Sequence, residues 1–450
     1  MRKAYKRLIR IFIYILLLVF IIGGPIYLLR FPPTKIDYNL DQSQQEWTGV
    51  ISFWDYPRLD KKTGTSFQWI YEKIQEFEKK NPGVYVDFKP LDWEKGPIKV
   101  DTAVKMGQLP DIVPIGSDYS ILSKDVLEPI DPYLTGEEIN SFRESAIRGV
   151  SYKDRIWAMP WMMTSYTMVL NLDIFYERGV EPPVDGSWTY EEFVEKLQQL
   201  TYSSSPNGEI DHFGFHSFIQ SGYYNIWGIL LSDGGTVIDK NFNYSFSDKK
   251  ALSGLQKVID LKQKYEVTPP NFGENTSNAA WTSFYKEQKI AVYPVGTWAL
   301  NALENLKNEG VGFEYDIATY PIGKEGVPIT MNSGIGAYGI SKQQDEKKLE
   351  MCVAFIKHLA DEKYQKELNR LGVFPVKETV GNIYEGNPLM TTLYDNLDNV
   401  LIIPPHPHWN EIDKILQNEI RLGVLGKKNS EEVLKDAEEK IHIFLHSITK

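Results

Sequence analysis

Three short apolar runs separated by helical stretches constrain this chain more than any other feature. Residues 49–54 (GVISFW), 84–88 (VYVDF) and 111–115 (DIVPI) read as strands. Between the first two, Phe67, Ile70, Tyr71, Ile74 and Phe77 repeat at helical spacing over residues 67–80. Asn81-Pro82-Gly83 stops that helix. A second helical stretch, residues 100–106, precedes the third run. The β-α-β-α-β order predicts an α/β lobe with a largely parallel sheet. Open sheets of this kind hold ligands outside the carboxyl ends of their strands. The loops after Trp54 and after Ile115 are therefore the first places to look for a site.

A second α/β stretch follows. Residues 156–170 (IWAMPWMMTSYTMVL) are extended and aromatic. Thr189 with Glu192 three residues on has the pattern of a capping box opening a helix over 190–200. Further helices are expected at 249–264 and 346–360, strands at 290–293, 316–320 and 337–340, and a mostly helical end from 410 to 446. With 450 residues the chain exceeds what one core serves, so two lobes are expected.

Residues 11–29 (IFIYILLLVFIIGGPIYLL) hold 19 residues without a charge, enough for a membrane-spanning helix. Arg2, Lys3, Lys6, Arg7 and Arg10 precede the run and favour a cytoplasmic N-terminus. A cleaved signal peptide is the competing reading; it has a shorter apolar core and an A-x-A-like site, which is not seen here. Residues 1–30 are thus read as a basic stub and single membrane span, and the polar, Pro-containing residues 31–46 as a tether. The body would sit on the extracytoplasmic side of the cell membrane.

The remainder carries 43 basic against 60 acidic residues, a surface that repels nucleic acid. The single cysteine, Cys352, lies in an apolar helical stripe with Leu349, Val353, Phe355 and Ile356, so it reads as a packed core thiol. His212 and His216 flank Gly214 without the H-E-x-x-H pattern, and His406 and His408 flank Pro407 without further ligands nearby. No nucleotide, dinucleotide or nucleophile-elbow signature appears, so no cofactor and no catalytic residue is expected.

An ordered set of local patterns resembles the family 1 extracellular solute-binding proteins of ATP-driven importers. It comprises residues 77–84 (FEKKNPGV), Leu109-Pro110-Asp111-Ile112-Val113, and residues 157–161 (WAMPW) followed by 169–175 (VLNLDIF). It continues with Pro182-Pro183 ahead of residues 187–193 (SWTYEEF), 284–298 (FYKEQKIAVYPVGTW), 334–341 (GIGAYGIS) and 372–376 (GVFPV). The resemblance implies a type II periplasmic-binding-protein fold: two α/β lobes, a hinge of several chain crossings, and a ligand cleft between. The crossings are expected near Met163, Asp316 and Leu371. That divides the body into first-lobe residues 47–163 and 317–370 and second-lobe residues 164–316 and 371–450. The expected partners are a small-molecule ligand and the permease subunits of an ABC importer, with a monomeric body. Most members carry a lipid-bearing cysteine or a cleaved signal, and this chain departs from them there.

A sugar site needs flat aromatic platforms for C–H faces and fixed polar groups for hydroxyls. The chain has 58 aromatic residues, 11 of them Trp. Those in predicted loops are Trp54 beside Asp55, Trp161, Tyr223, Trp227, Trp281, Trp298, Phe374 and Trp409, and Asp118 follows the third strand. By resemblance Trp298, after Gly296-Thr297, is the leading platform. Packing is the competing role for every one of these rings, and a helix cap for each Asp. A sugar or oligosaccharide receptor is the expected function; a membrane-tethered carbohydrate sensor and an enzyme acting on polysaccharide are the alternatives.

Overall fold

The computed structural model describes residues 47–116, 119–206, 208–332, 334–403 and 406–448. The apolar run at 11–29, the tether at 31–46 and Asp118 lie outside the described residues. Among those described, no helix is long and apolar enough to cross a membrane.

Among the described residues, fourteen strands run in chain order. They are β1 Gly49–Asp55, β2 Val84–Pro90, β3 Ile112–Pro114, β4 Leu127–Glu128, β5 Ser151–Tyr152, β6 Arg155–Ile156 and β7 Met159–Met163. Then follow β8 Tyr166–Asn171, β9 Phe213–Phe215, β10 Ile290–Gly296, β11 Tyr315–Ala318, β12 Thr330–Asn332, β13 Ile335–Ser341 and β14 Val400–Ile402. One sheet has the order β2-β1-β3-β13-β4, with β7 also paired to β13. A second has the order β11-β8-β10-β9, and β12-β14 and β5-β6 form two-stranded pairs. β1 is parallel to both β2 and β3, as the alternation predicts.

In β1 the side chains of Ile51, Phe53 and Asp55 point inward and are buried. The Phe53 ring meets Phe355 at 5.4 Å, Tyr338 at 5.1 Å and Phe88 at 5.5 Å. The helix Gln68–Lys80 covers this face with Trp69, Ile70, Lys73, Ile74 and Phe77. The buried stripe differs from the one expected: Tyr71 points outward and Lys73 is inside. Lys73 is tolerated there because Glu76 and Glu367 hold its ammonium at 3.2 and 2.9 Å. Glu367 lies far along the chain, where a periodicity argument does not reach. Cys352 packs in the Glu346–Leu359 helix, and burial pushes its thiol up to about 12. Thr189 and Glu192 form the expected capping box on the helix Tyr190–Gln199.

The chain passes from the first sheet to the second between Met163 and Tyr166. Met163 and Phe374 exchange backbone hydrogen bonds of 2.8 Å, and the Thr164 amide donates to the Gly334 carbonyl at 2.7 Å. Three crossing segments therefore lie side by side. Asp316 is inside β11, paired with Leu170 of β8. The return expected near Asp316 is thus made later, between Ala318 and Ile335.

Strand direction fixes what faces what. β13 is antiparallel to both β3 and β7, so Met163 leaves the first sheet at its carboxyl edge, alongside Asp55, Pro90 and Pro114. It enters the second sheet at Tyr166, which pairs with Gly296 at the end of β10. The carboxyl edge of the first sheet and the Tyr166–Gly296 edge of the second are joined by the crossings. Together they border the inter-lobe cleft.

Candidate ligand cleft

On the second lobe, the Thr297 amide donates to the Ser165 carbonyl at 2.9 Å, and Trp298 opens the helix Trp298–Asn308. Its indole folds back over Gly296, where a Cβ would come within 1.8 Å of ring carbons. Only glycine leaves room for the ring there. The indole stands edge-on to Tyr166 at 5.5 Å and 85°. Trp298 is nonetheless 44% exposed. The ring is positioned by contacts yet stays partly exposed, a combination that suits a stacking platform.

Tyr166 is buried, which drives its phenol far above the usual range, and its hydroxyl bonds the backbone of Tyr224. That residue belongs to a loop held from behind by one face of the helix Trp409–Val424. Trp409 Nε1 donates to the Tyr224 hydroxyl at 2.9 Å. One turn on, Asp413 Oδ2 accepts from Ser221 Oγ at 2.9 Å and from the Gly222 amide at 2.6 Å. A further turn on, Gln417 Nε2 donates to Asp413 Oδ1 at 2.7 Å and to the Tyr223 carbonyl at 3.0 Å. Tyr223 is left 37% exposed, its ring edge-on to Phe218 at 5.0 Å. Tyr223, Tyr166 and Trp298 are thus linked into one wall.

Burial pushes the Asp413 carboxyl up to about 6, against the lowering effect of its hydrogen-bond donors. A folded pKa above the unfolded one stabilises the fold most below the unfolded value. That contribution is lost as pH rises through about 6. Asp413→Asn removes the titration. The stability of the native protein relative to this variant should therefore fall between pH 4 and pH 7, by up to about 3 kcal/mol. Urea unfolding of both proteins across that range measures it; parallel profiles would contradict the assignment.

On the first lobe, Asp55 ends β1 and is buried. Its Oδ2 accepts from the Tyr338 hydroxyl at 2.7 Å and from Arg58 Nη1 at 2.8 Å. The Arg58 guanidinium lies 4.8 Å over the Trp161 ring, which stacks on Trp69 at 5.1 Å and on Tyr338 at 5.6 Å. Trp54 is half-buried, with Lys99 Nζ 4.5 Å over its ring.

Four of the expected platforms are corrected here. Trp161, Trp227, Phe374 and Trp409 are buried, with no ring face open. Trp161 is enclosed as described. Trp227 packs on Tyr224, Phe246 and Trp409, and Phe374 packs on Tyr384 and Tyr394 within the crossing. Trp281 is half-buried between Tyr285 and Tyr293, on the middle of β10 and away from its carboxyl end. Asp55 is a buried, paired carboxylate rather than an exposed one. Trp54, Tyr223 and Trp298 keep accessible surface at or near the cleft edges. Sequence reasoning did not single out Tyr166, Arg58 or Asp413, which the structure brings to these edges.

Two α/β lobes, several crossings and aromatic groups at the joined edges define a two-lobe binding protein. The sequence profile of the bacterial extracellular solute-binding proteins matches residues 72–392, and the chain belongs to that family. It is 24% identical over 382 residues to the maltotriose-binding protein of Pyrococcus abyssi, covering 80% of this chain and 78% of that one. A binding protein of Brucella abortus is 24% identical over 400 residues, covering 85% and 90%. The ABC substrate-binding protein of Listeria monocytogenes solved with cycloalternan superposes with a TM-score of 0.73 at 18% identity, covering 89% of this chain and 100% of that one. The Thermus thermophilus maltotriose-binding protein superposes with 0.68 at 20% identity, covering 88% and 100%.

Proposed function

We propose that this chain captures a sugar or oligosaccharide between its lobes and delivers it to an ABC importer, without transforming it. The Trp298–Tyr166–Tyr223 wall carries the reading. It offers the exposed rings of Trp298 and Tyr223 at the mouth of a hinge, Trp298 set against the buried Tyr166 and Tyr223 held through its carbonyl by Gln417. Relatives named for maltotriose and for diacetylchitobiose support the ligand class. Lobe closure over the ligand is the mode of action of hinged binding proteins. The uncharged run at 11–29 would hold the body at the outer face of the membrane, with residues 31–46 as the tether.

Titrating the full-length protein with a panel of gluco-oligosaccharides and chito-oligosaccharides, followed by Trp fluorescence, tests this. A saturable change with at least one is expected. A response only to peptides or polyamines would overturn the ligand class.

A further inference from the structure

The first lobe carries an aromatic plate of its own. Trp93 lies three residues past the end of β2, in the sequence Leu91-Asp92-Trp93-Glu94. Its ring stacks on Tyr56 at 4.4 Å and 12°, just past the end of β1. The indole Nε1 donates to the Pro57 carbonyl at 3.1 Å, which fixes the ring's orientation. Gly96 sits under Tyr56, where a Cβ would come within 2.6 Å of Cε1, so a side chain there would unseat the pair. Asp92 Oδ1 accepts from the Lys95 amide at 2.6 Å and closes the turn that presents Trp93.

Trp93 is 58% exposed although its position is this closely specified. A flat ring held in one orientation through its polar handle, with surface left open, has the form of a recognition platform. The plate stands at the carboxyl ends of two adjacent parallel strands, where open α/β sheets take ligands. That edge is the one joined by the crossings to the Trp298 edge. A second observation points the same way. The Arg58 guanidinium is 6.0 Å from the Trp93 ring. That guanidinium is held by Asp55 at the end of β1, so a fixed cation stands beside the plate.

We infer that Trp93, backed by Tyr56, is a second sugar platform, so that the ligand spans both lobes and contains at least two sugar rings. This rests on the reading of the chain as a sugar receptor. A monosaccharide has one ring to stack, whereas two platforms on opposite lobes select an oligomer. They also couple ligand length to lobe closure, because a ring held on Trp93 and one held on Trp298 draw the edges together.

The test compares wild type, Trp93→Ala and Trp93→Phe against glucose, maltose and maltotriose, and against N-acetylglucosamine and its dimer, by calorimetry. Wild type should prefer the oligomers of one series over its monomer by about tenfold or more, the scale of one added stacked ring. Trp93→Ala should remove most of that preference, and Trp93→Phe should restore it to within about threefold. Oxidative footprinting of wild type, which needs no variant, should show Trp93 protected by the oligomer. An undiminished preference in Trp93→Ala with Trp93 unprotected overturns the second platform alone. A wild type that binds no sugar of either series overturns the sugar-receptor reading as well.

Discussion

Trp298→Ala should weaken oligosaccharide binding by roughly 30- to 150-fold, the equivalent of about 2–3 kcal/mol for losing some 100 Å² of apolar contact. The indole is exposed before binding, so its removal leaves no cavity in the core. Thermal stability should change little, which separates this effect from unfolding. The position is set by Gly296 beneath the ring and Tyr166 beside it, and neither depends on the indole for its own fold. Tyr166 keeps its link to the Tyr224 backbone. Calorimetric titration of the variant with whichever sugar binds wild type measures the change. A loss of less than twofold would remove Trp298 from the site and leave the second-lobe wall without its main surface.

The second large effect concerns the hinge. Arg370 stands two residues before Gly372, whose φ of +68° turns the chain into the third crossing. Its Nε donates to Asp60 Oδ1 at 3.2 Å and its Nη1 to Glu72 Oε2 at 2.8 Å, with Glu367 also in reach. The Arg370 carbonyl accepts from the Lys61 amide at 2.9 Å. One guanidinium thus ties the loop after β1, the first long helix and the hinge together. Asp60 is fully buried. Removing its counter-charge strands a buried carboxylate, which costs about 3–5 kcal/mol. Arg370→Ala should therefore lower the unfolding free energy by about that amount, read from urea unfolding. Asp60→Asn combined with Arg370→Ala should recover part of the loss, because the stranded charge is gone. Unfolding midpoints within error of wild type would show that water, not Arg370, satisfies Asp60.

The parallel start of the first sheet, the Thr189–Glu192 capping box and the packed Cys352 were legible because each depends on residues close in sequence or on a simple period. The buried face of the first helix was only partly so. Lys73 breaks the apolar stripe, and the carboxylate that admits it, Glu367, comes from the far side of the fold. The same limit governed the site. A tryptophan in a loop has the same sequence signature whether its ring is covered or open. Trp227 and Trp409 cover one another across the second lobe, and Phe374 is sealed by its pairing with the first crossing. Trp298 was singled out by the resemblance alone; the close approach of its indole to Gly296 shows only in the structure. Asp413 was not legible, because its three contacts all come from side chains or backbone some two hundred residues away or from its own helix.

The most direct test of capture between the lobes is a crystal structure of the full-length protein grown with a saturating sugar that binds in the titration panel. One sugar ring should lie on the open face of Trp298, with Tyr223 beside it and the ligand extending toward Trp93 on the other lobe. A sugar seated elsewhere, with Trp298 and Tyr223 still open to solvent, would contradict the account.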